Sequence, residues 1–330
     1  MRRREFITLL VGGAGASLRT VAWAQSAPLA RRVGVLLPFD ENDPEAKNRL
    51  KQFRLGMRDL DWIEGRNILI DFRFAGGNSE SITKGVAELT KAAPEVILSY
   101  STPGLAAVRQ ATSTIPIVFV NVTDPLGQGI VPSLAHPGSN ITGFSFIEPE
   151  MIGKWINLLS DVKPGLSRVA LMFNPDTASF FDSYYRLFKA ARQSIIDIEV
   201  AHVRTVSEIE STIAKLGNEQ GNGLMLGSDI FIVNMREPII KLANERGVPT
   251  ISPYRQLVVD GSLAAYGPDT GDISRRASVY VDRILKGEQP GNLPVQSPIR
   301  FELVLNLKTA KTLGLSPRQS LLQLCDEVIE

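Results

Sequence analysis

The residues best suited to chemistry stand directly after apolar runs that we expect to be β-strands. Ser101-Thr102-Pro103-Gly104 follows one such run and opens a predicted helix. Proline lacks an N–H group and suits the first position of a helix, so the amides behind it stay free to bind an anion. We therefore expect a ligand carboxylate here, with Thr123 from the next strand end closing the other side. A simple helix cap by the two hydroxyls is the alternative.

A negative partner for a ligand ammonium group is the second requirement of a site for zwitterions. Asp229 follows a buried strand and precedes an apolar helix, which makes it the first candidate. It could equally be the N-cap of the helix that starts near Ile230. Asp40 and Asp124 also follow predicted strands and compete for the role.

Aromatic and amide side chains complete the candidate set. Phe39, Tyr254 and Tyr266 lie near predicted strand ends and could offer ring faces to an aromatic or branched apolar group. Asn174 stands at another strand end. Packing in the core is the alternative for each of the rings.

Residue patterns of enzymes and metal sites are missing from the sequence. It contains no G-x-S-x-G elbow and no G-x-x-x-x-G-K-[ST] phosphate loop. The two histidines, His136 and His202, are far apart, and no Cys/His/Asp cluster has the spacing of metal ligands. We therefore predict no catalytic residue, no metal and no cofactor, and a chain that is not an enzyme.

Composition points to an ordinary folded protein without affinity for polyanions. The 330 residues contain 36 Lys and Arg against 35 Asp and Glu, so nothing suggests a nucleic-acid partner. The single cysteine, Cys325, cannot form an internal disulfide, and stability must come from apolar cores.

The elements that position the candidate residues alternate between strands and helices. Residues 32–120 and 168–266 each read as apolar strands separated by amphipathic helices, which predicts parallel sheets with right-handed crossovers. Residues 121–146, rich in Gly and Pro, interrupt the alternation. In such sheets ligands bind beyond the carboxyl ends of the strands, where the residues above stand.

The C-terminal part contains too few elements for a third domain. A helix from Asp272 to Leu285 ends at Gly287, and a strand over residues 301–306 and a short helix follow. We expect these elements to pack onto the first two units. The chain would then cross between two lobes more than once, which predicts a hinge.

The N-terminal segment has the composition of an export signal. Arg2-Arg3-Arg4 precedes a short apolar run that ends at Ala22-Trp23-Ala24, an A-x-A cleavage site. The arginine pair favours the twin-arginine variant, although the sequence does not separate this route from the general one. A first helix of the folded domain is the alternative, but glycines within the run disfavour it.

Several local strings resemble those of ABC-transporter substrate-binding proteins of the tryptophan/tyrosine type. They are Ile115-Pro116-Ile117-Val118-Phe119, Asp124-Pro125, Pro137-Gly138-Ser139-Asn140-Ile141-Thr142-Gly143, Ala265-Tyr266-Gly267-Pro268, Ile284-Leu285-Lys286-Gly287, Leu293-Pro294-Val295 and Asn306-Leu307-Lys308-Thr309-Ala310-Lys311. The resemblance runs from about Arg31 to the C-terminus. Each string alone is weak, and their combination in this order is specific.

The resemblance implies the type I periplasmic binding protein fold: α/β, with two doubly wound parallel-sheet lobes joined by a multi-crossover hinge. The predicted boundaries are a signal peptide over 1–24, lobe one over 31–142 and 267–295, and lobe two over 143–266 and 296–330. It also implies a periplasmic monomer that closes around a small-molecule ligand, an amino acid or an aromatic or organic acid.

The closed form would be presented to the membrane permease of an ABC transporter. Two other functions stay open at this point. They are an exported enzyme on the same fold, and a ligand sensor for a membrane signalling protein.

Overall fold

The computed structural model describes residues 30–147, 149–191 and 196–330. The predicted export signal lies outside the described residues. The described residues form two α/β lobes, each built around a mainly parallel sheet. The predicted fold class is confirmed.

Lobe one contains a five-stranded sheet in which all strands are parallel. Its strands are Arg31–Leu37 (β1), Ile68–Phe74 (β2), Val96–Tyr100 (β3), Ile117–Val122 (β4) and Ile141–Ser145 (β5), in the spatial order β2-β1-β3-β4-β5. Its helices are Pro44–Asp59 (α1), Ser79–Lys91 (α2) and Thr102–Ala111 (α3).

Lobe two contains a seven-stranded sheet in the order β12-β11-β10-β9-β8-β6-β7. Its strands are Arg168–Phe173 (β6), Asp197–His202 (β7), Asn222–Leu226 (β8), Thr250–Ser252 (β9), Ala264–Pro268 (β10), Phe301–Asn306 (β11) and Glu327–Ile329 (β12). Only the β10–β11 pair is antiparallel among the pairs that the structure describes.

The remaining helices surround this second sheet, with one exception. They are Met151–Val162 (α4), Pro175–Ala178 (α5), Phe180–Ala191 (α6), Val206–Gly217 (α7), Ile230–Asn234 (α8), Arg236–Glu245 (α9), Arg255–Val259 (α10), Thr270–Leu285 (α11), Leu307–Thr312 (α12) and Gln319–Leu322 (α13), with a 3-10 turn over Pro290–Asn292. The exception among the helices is α11, which packs against α1 of lobe one, and the 3-10 turn lies against β5 of the same lobe.

Burial explains why the central strands form. All five residues of β3, sequence VILSY, are buried, as expected for a parallel strand covered by helices on both faces. The edge strand β2 is only half-buried over most of its length. Helix α1 begins where Asp43 accepts hydrogen bonds from the Glu45 and Ala46 amides at 2.8 and 3.3 Å, so its start is fixed by the sequence.

Two elements differ from their predictions. Strand β5 lies within residues 121–146, which were expected to be irregular; its five residues are too few to stand out among glycines and prolines. The apolar helix expected after Asp229 is divided into α8 and α9 at Met235, whose backbone leaves the helical region at φ −96° and ψ 12°.

The chain passes between the lobes after β5, after β10 and before β11. These passages are tied together by backbone hydrogen bonds, from Gln296 to Gly143 at 2.9 Å and from Asp269 to Arg300 at 3.0 Å. The sequence positions at which the lobes divide stay a prediction.

Contacts also cross the mouth of the cleft between the lobes. Arg236, at the start of α9, lies 2.8 Å from Asp43 of lobe one, and both side chains are buried. The neighbouring Asn234 donates to the Pro38 carbonyl at 3.5 Å. The two lobes are therefore in contact, and the cleft is closed.

No helix within the described ranges is both long and apolar enough to cross a membrane.

Candidate ligand-binding site

A cavity lies where the carboxyl ends of the two sheets face each other. From lobe one it is lined by Phe39, Arg49, Ser101, Thr102, Pro103, Asn121 and Thr123, and from lobe two by Thr177, Ser228, Ile230 and Tyr254. Its volume is about 20 Å³, the space of about one water molecule. A larger ligand therefore enters only when the lobes move apart.

Three larger cavities, of about 480 to 520 Å³, lie elsewhere on the surface. One is formed by loops around Lys163 and Arg246, one lies along α1 around Lys51, and one lies beside Asp269 and Glu302. Two of them receive one residue each from the end of a strand, Phe74 of β2 and Asp269 after β10. The small cavity is lined by residues that follow five strands, β1, β3, β4, β8 and β9. Because ligands of parallel sheets bind at those ends, we take the small cavity as the candidate site.

The start of α3 forms one wall of this cavity. The helix begins at Thr102, one residue earlier than predicted, and Ser101 is its N-cap, whose Oγ accepts from the Gly104 amide at 3.3 Å. The capping alternative is therefore correct for Ser101. Pro103 has no N–H group, and the Gly104 and Leu105 amides donate to Ser101, so the Thr102 amide is left to donate from the start of α3.

Backbone strain concentrates at the same wall. Ser101 has φ 70° and Asn121 has φ 56°, in the left-handed region that residues other than glycine rarely adopt. Asn121 lies at an irregularity in the pairing of β4 with β5, between Val120 and Val122. Such bulges re-aim side chains next to functional sites, and here Asn121 reaches the cavity.

Arg49 brings a charge into the cavity from the second turn of α1. Its side chain is buried, and its Nε donates to Glu45 Oε1 at 2.7 Å, where Thr270 Oγ1 also donates at 2.6 Å. With the Asn121 amide turned so that its oxygen faces the guanidinium, that oxygen accepts from both terminal nitrogens of Arg49 at 3.0 and 3.2 Å. This network holds the guanidinium in one position.

Aromatic rings enclose the same guanidinium. The Cζ atom of Arg49 lies 4.8 Å from the centroid of the Phe39 ring, and 5.8 and 5.9 Å from those of Tyr100 and Tyr254. Burial lowers the pKa of Arg49, but Glu45 together with Tyr254 and Tyr100 raises it by more, and the pKa lies above its ordinary value. Arg49 is therefore a permanent cation.

Tyr254 forms the wall on the side of lobe two. Its ring stacks on Phe146 with centroids 5.3 Å apart and an interplanar angle of 16°. Its hydroxyl lies 3.0 Å from Ser228 Oγ, and burial raises the pKa of the phenol to about 12. The hydroxyl therefore stays protonated at neutral pH.

Five of the predicted site residues line the cavity: Phe39, Ser101, Thr102, Thr123 and Tyr254. Two others do not, for simple reasons. Asp40 is exposed to solvent. Tyr266 stacks on Phe301, with centroids 5.9 Å apart, beside the Lys154 ammonium.

Asp229 and Asn174 stand behind the cavity wall instead of in it. Asp229 is the N-cap of α8 and accepts from the Phe231 amide at 3.0 Å, as the capping alternative predicted. It also accepts from the backbone N–H of Asn174 at 2.7 Å and from Thr177 Oγ1 at 2.5 Å. Burial raises the pKa of Asp229 to about 6. Asn174 is itself the N-cap of α5.

The sequence reasoning missed Arg49 and Thr177. Neither stands at the end of a strand, since Arg49 lies inside α1 and Thr177 inside the short helix α5. One signal for Arg49 was available: Glu45 and Arg49 are four residues apart and share the face of α1 that also bears Phe53, so an ion pair on an apolar face was visible. Thr177 had no comparable signal.

The profile of the ABC transporter substrate binding protein family matches residues 33–329. The chain belongs to this family. Since its members bind substrates, the prediction that the chain is not an enzyme is confirmed. The family match also confirms the resemblance stated from the sequence.

Relatives of this substrate-binding protein agree with that assignment. A tyrosine-binding protein of Clostridioides difficile (strain R20291) is 27% identical over 272 residues, which cover 82% of this chain and 78% of the relative. A conserved domain protein of Vibrio cholerae is 26% identical, with a TM-score of 0.83 over 91% of this chain and 99% of that one.

A third structure shares the fold at lower identity. It is an ABC domain from Streptococcus pneumonia in complex with L-Trp, 21% identical, with a TM-score of 0.83 over 91% of this chain and 100% of the other. At this level of identity the similarity establishes the fold of the two lobes.

Proposed function

We propose that this chain is the solute receptor of an ABC importer and that it binds an amino acid with an aromatic or branched apolar side chain. The family assignment supports the receptor role. The tyrosine-binding relative and the L-Trp complex of a structural neighbour support an amino acid as the ligand. The cavity between the facing strand ends carries the proposal, because its groups fit the parts of such a ligand.

The carboxylate of the ligand would bind to lobe one. The Thr102 amide and hydroxyl stand at the start of α3, a helix of 10 residues, where the helix dipole favours an anion. The Arg49 guanidinium lines the same wall. Thr123 follows the adjacent strand and lines the same cavity.

The side chain of the ligand would lie against the rings of Phe39 and Tyr254. These two rings come from different lobes, so closure brings them to the same ligand. Phe146 supports the Tyr254 ring from behind. Ring faces of this kind bind aromatic and branched groups through burial and stacking.

Closure of the lobes would produce the form that a membrane permease recognises. The Arg236–Asp43 contact across the cleft mouth supports such a closed state. We further propose that residues 1–24 direct export by the twin-arginine or general route, and that the mature chain acts in the periplasm as a monomer.

A thermal-shift screen of residues 25–330 tests the proposal, with aromatic amino acids, branched amino acids, aromatic acids and short organic acids as ligands. A ligand that binds only the folded state raises the melting temperature by mass action, with about 2.7 kcal/mol of stabilisation at a hundredfold excess over Kd. We expect a rise with an aromatic or branched amino acid that is recovered unchanged. Chemical conversion of the compound would contradict a receptor.

Thr102→Ala locates the ligand, because it removes one hydroxyl from the proposed carboxylate site. We expect it to weaken binding by about 1–3 kcal/mol. Thr83→Ala is the matched control, since Thr83 is an exposed threonine of α2 whose hydroxyl donates to the Ser79 carbonyl at 2.9 Å. If the two variants bind the ligand with equal affinity, the ligand carboxylate does not bind at the start of α3.

A further inference from the structure

Hydrogen-bonding groups from the two lobes face each other across the cavity. Lobe one presents donors, the Arg49 guanidinium and the Thr102 amide. From lobe two, Thr177 reaches the cavity from the short helix α5. Its hydroxyl has a single proton. The acceptor to which this proton points decides whether Thr177 can donate a hydrogen bond to a ligand or accept one from it.

Two protein acceptors compete for the Thr177 proton. Asp229 Oδ1 lies 2.5 Å from Thr177 Oγ1, and the Asn174 carbonyl lies 3.3 Å from it. Both are acceptors, so the proton points into the protein in either case. The lone pairs of the hydroxyl are therefore what Thr177 offers to the cavity.

Asp229 cannot turn away from this contact. Its two carboxylate oxygens also accept from fixed backbone amides, Oδ2 from Asn174 at 2.7 Å and Oδ1 from Phe231 at 3.0 Å. The side chain is buried, with an exposed fraction of 2%. A carboxylate held in this way places a negative charge one hydrogen bond behind the Thr177 oxygen.

We propose that Thr177 accepts a hydrogen bond from the ammonium group of the bound amino acid, and that Asp229 is the positioning residue that keeps the Thr177 hydroxyl in its accepting orientation. The inference rests on the proposed function and deepens it, because it assigns the group that selects amino acids over acids without an amino group. The ligand would lie with its carboxylate towards lobe one and its ammonium towards lobe two.

The test compares an amino acid with the same molecule lacking its amino group: L-phenylalanine with 3-phenylpropionate, and L-tyrosine with 3-(4-hydroxyphenyl)propionate. Isothermal titration gives Kd for each compound with residues 25–330. We expect the unaltered protein to prefer the amino acid by about tenfold or more, because a buried polar group left without its partner is costly. Equal affinity for an amino acid and its analogue without the amino group would overturn the proposed role of Thr177 but would leave the receptor role uncontradicted.

Variants at Thr177 identify the residue responsible. Thr177→Val keeps the shape and removes the hydroxyl, so we expect it to abolish the preference by weakening amino-acid binding while 3-phenylpropionate binds as before. Thr177→Ser keeps the hydroxyl and should keep the preference. If Thr177→Val does not fold, Thr177→Ala replaces it. Equal weakening of both compounds by these variants would mean a structural role only.

Asp229→Asn tests the positioning role. It replaces one accepting oxygen with a donor, which must face either the backbone N–H of Asn174 or the Thr177 hydroxyl and the backbone N–H of Phe231. In both orientations the negative charge behind the Thr177 oxygen is lost. We expect the preference to fall towards unity while 3-phenylpropionate binding is retained. A preference that is unchanged in Asp229→Asn would contradict the positioning role. Failure of the unaltered protein to bind either compound would instead overturn the proposed function.

Discussion

Arg49 is the residue that combines the most roles in the cavity. It is 2% exposed, it is paired with the buried Glu45, and its guanidinium contacts three aromatic rings. A buried charge without a partner is expensive, whereas a buried pair with good hydrogen bonds is tolerated. The position of Arg49 therefore depends on Glu45, and the stability of lobe one depends on both.

Replacing Arg49 should destabilise the protein strongly. Arg49→Met leaves Glu45 buried with only the Thr270 hydroxyl as a side-chain partner, and we expect the free energy of unfolding to fall by about 3–5 kcal/mol. Urea denaturation of the unliganded chain measures this. The double variant Glu45→Gln, Arg49→Met should recover part of the loss, because no charge remains buried.

Arg283→Met provides the matched control for this experiment. Arg283 also forms an ion pair, with Glu288 at 2.6 Å, but both side chains are substantially exposed, at 44% and 33%. We expect a change of about 0–1 kcal/mol. A loss at Arg49 no larger than that at Arg283 would mean that the buried pair does not stabilise the lobe.

Asp229 should make stability depend on pH. Its pKa is raised by burial from 3.8 to about 6 in the folded protein, so the folded state binds this proton more tightly than the unfolded state does. The contribution of Asp229 to stability is therefore present at low pH and is lost as pH rises through about 4 to 6. The loss is on the order of 3 kcal/mol.

Asp229→Asn removes this titration. The free energy of unfolding of the variant, minus that of the unaltered protein, should rise as pH increases from 4 to 7, whatever its starting value. Urea denaturation at several pH values measures the difference. A difference that is constant or falls with pH would contradict a raised pKa at Asp229.

At the residue scale, sequence reasoning was strongest where a side chain follows a strand. Phe39, Ser101, Thr102, Thr123 and Tyr254 were predicted in this way and line the cavity. It was weakest where a helix supplies the residue, as for Arg49. From the sequence, the carboxylate of Asp229 could be either a helix cap or a ligand contact. The structure identifies it as a cap, because it accepts hydrogen bonds from the backbone N–H groups of Phe231 and Asn174.

Helices α1 and α11 set the geometry of lobe one at the scale of elements. Helix α1 carries Glu45 and Arg49, and α11 follows one of the passages between lobes and packs along α1. The two helices approach closely at Gly56. A Cβ atom built there would lie 2.2 Å from Ser278 Oγ and 2.7 Å from the Arg275 carbonyl oxygen. The close approach requires glycine at this position.

Gly56→Ala should therefore destabilise the protein, although alanine favours helices more than glycine does. The clash with the backbone of α11 cannot be relieved by a side-chain rotation, and we expect a loss of about 1–3 kcal/mol. Thermal unfolding measures it. Adding Ser278→Ala removes the nearer contact and should recover part of the loss. A stabilised Gly56→Ala variant would contradict this packing.

Most elements could be predicted from the sequence because apolar runs and helix caps mark them. The α1 helix has Asp43 and Pro44 at its start, and β3 is a continuous apolar run. Strand β5 could not be predicted, since pairing with β4 and a bridge from Phe144 to Gln296 hold it, and neither is visible locally. The antiparallel β10–β11 pair is likewise a long-range contact.

Closure of the two lobes depends on contacts between parts of the chain that are far apart in the sequence. Arg236 bridges Asp43 of lobe one and Asp260 of its own lobe, at 2.8 and 2.7 Å. Asp260 and the Val233 carbonyl accept hydrogen bonds from the same guanidinium, so contacts within lobe two hold the donor that lobe one receives. The contact at the cleft mouth should stabilise the closed state without touching the ligand.

Arg236→Ala should weaken ligand binding from a distance. The prediction concerns a liganded form that is open by enough to hold an amino acid and that keeps the Arg236–Asp43 contact. Without the contact this form is less populated, the apparent Kd rises in proportion, and we expect a change of about three- to tenfold. Titration calorimetry measures the affinity, and small-angle X-ray scattering should show a larger radius of gyration for the unliganded variant. Arg204→Ala is the control, because Arg204 pairs with Asp176 within lobe two at 3.1 Å. Equal affinities for the two variants would contradict a role in closure.

The most direct test of the proposed binding mode is a crystal structure of residues 25–330 with the amino acid that gives the largest thermal shift. We predict a ligand between the lobes, with its carboxylate within hydrogen-bond distance of Thr102 and its side chain between Phe39 and Tyr254. A ligand held on the outside of one lobe, or in the larger cavity beside Asp269 and Glu302, would contradict it.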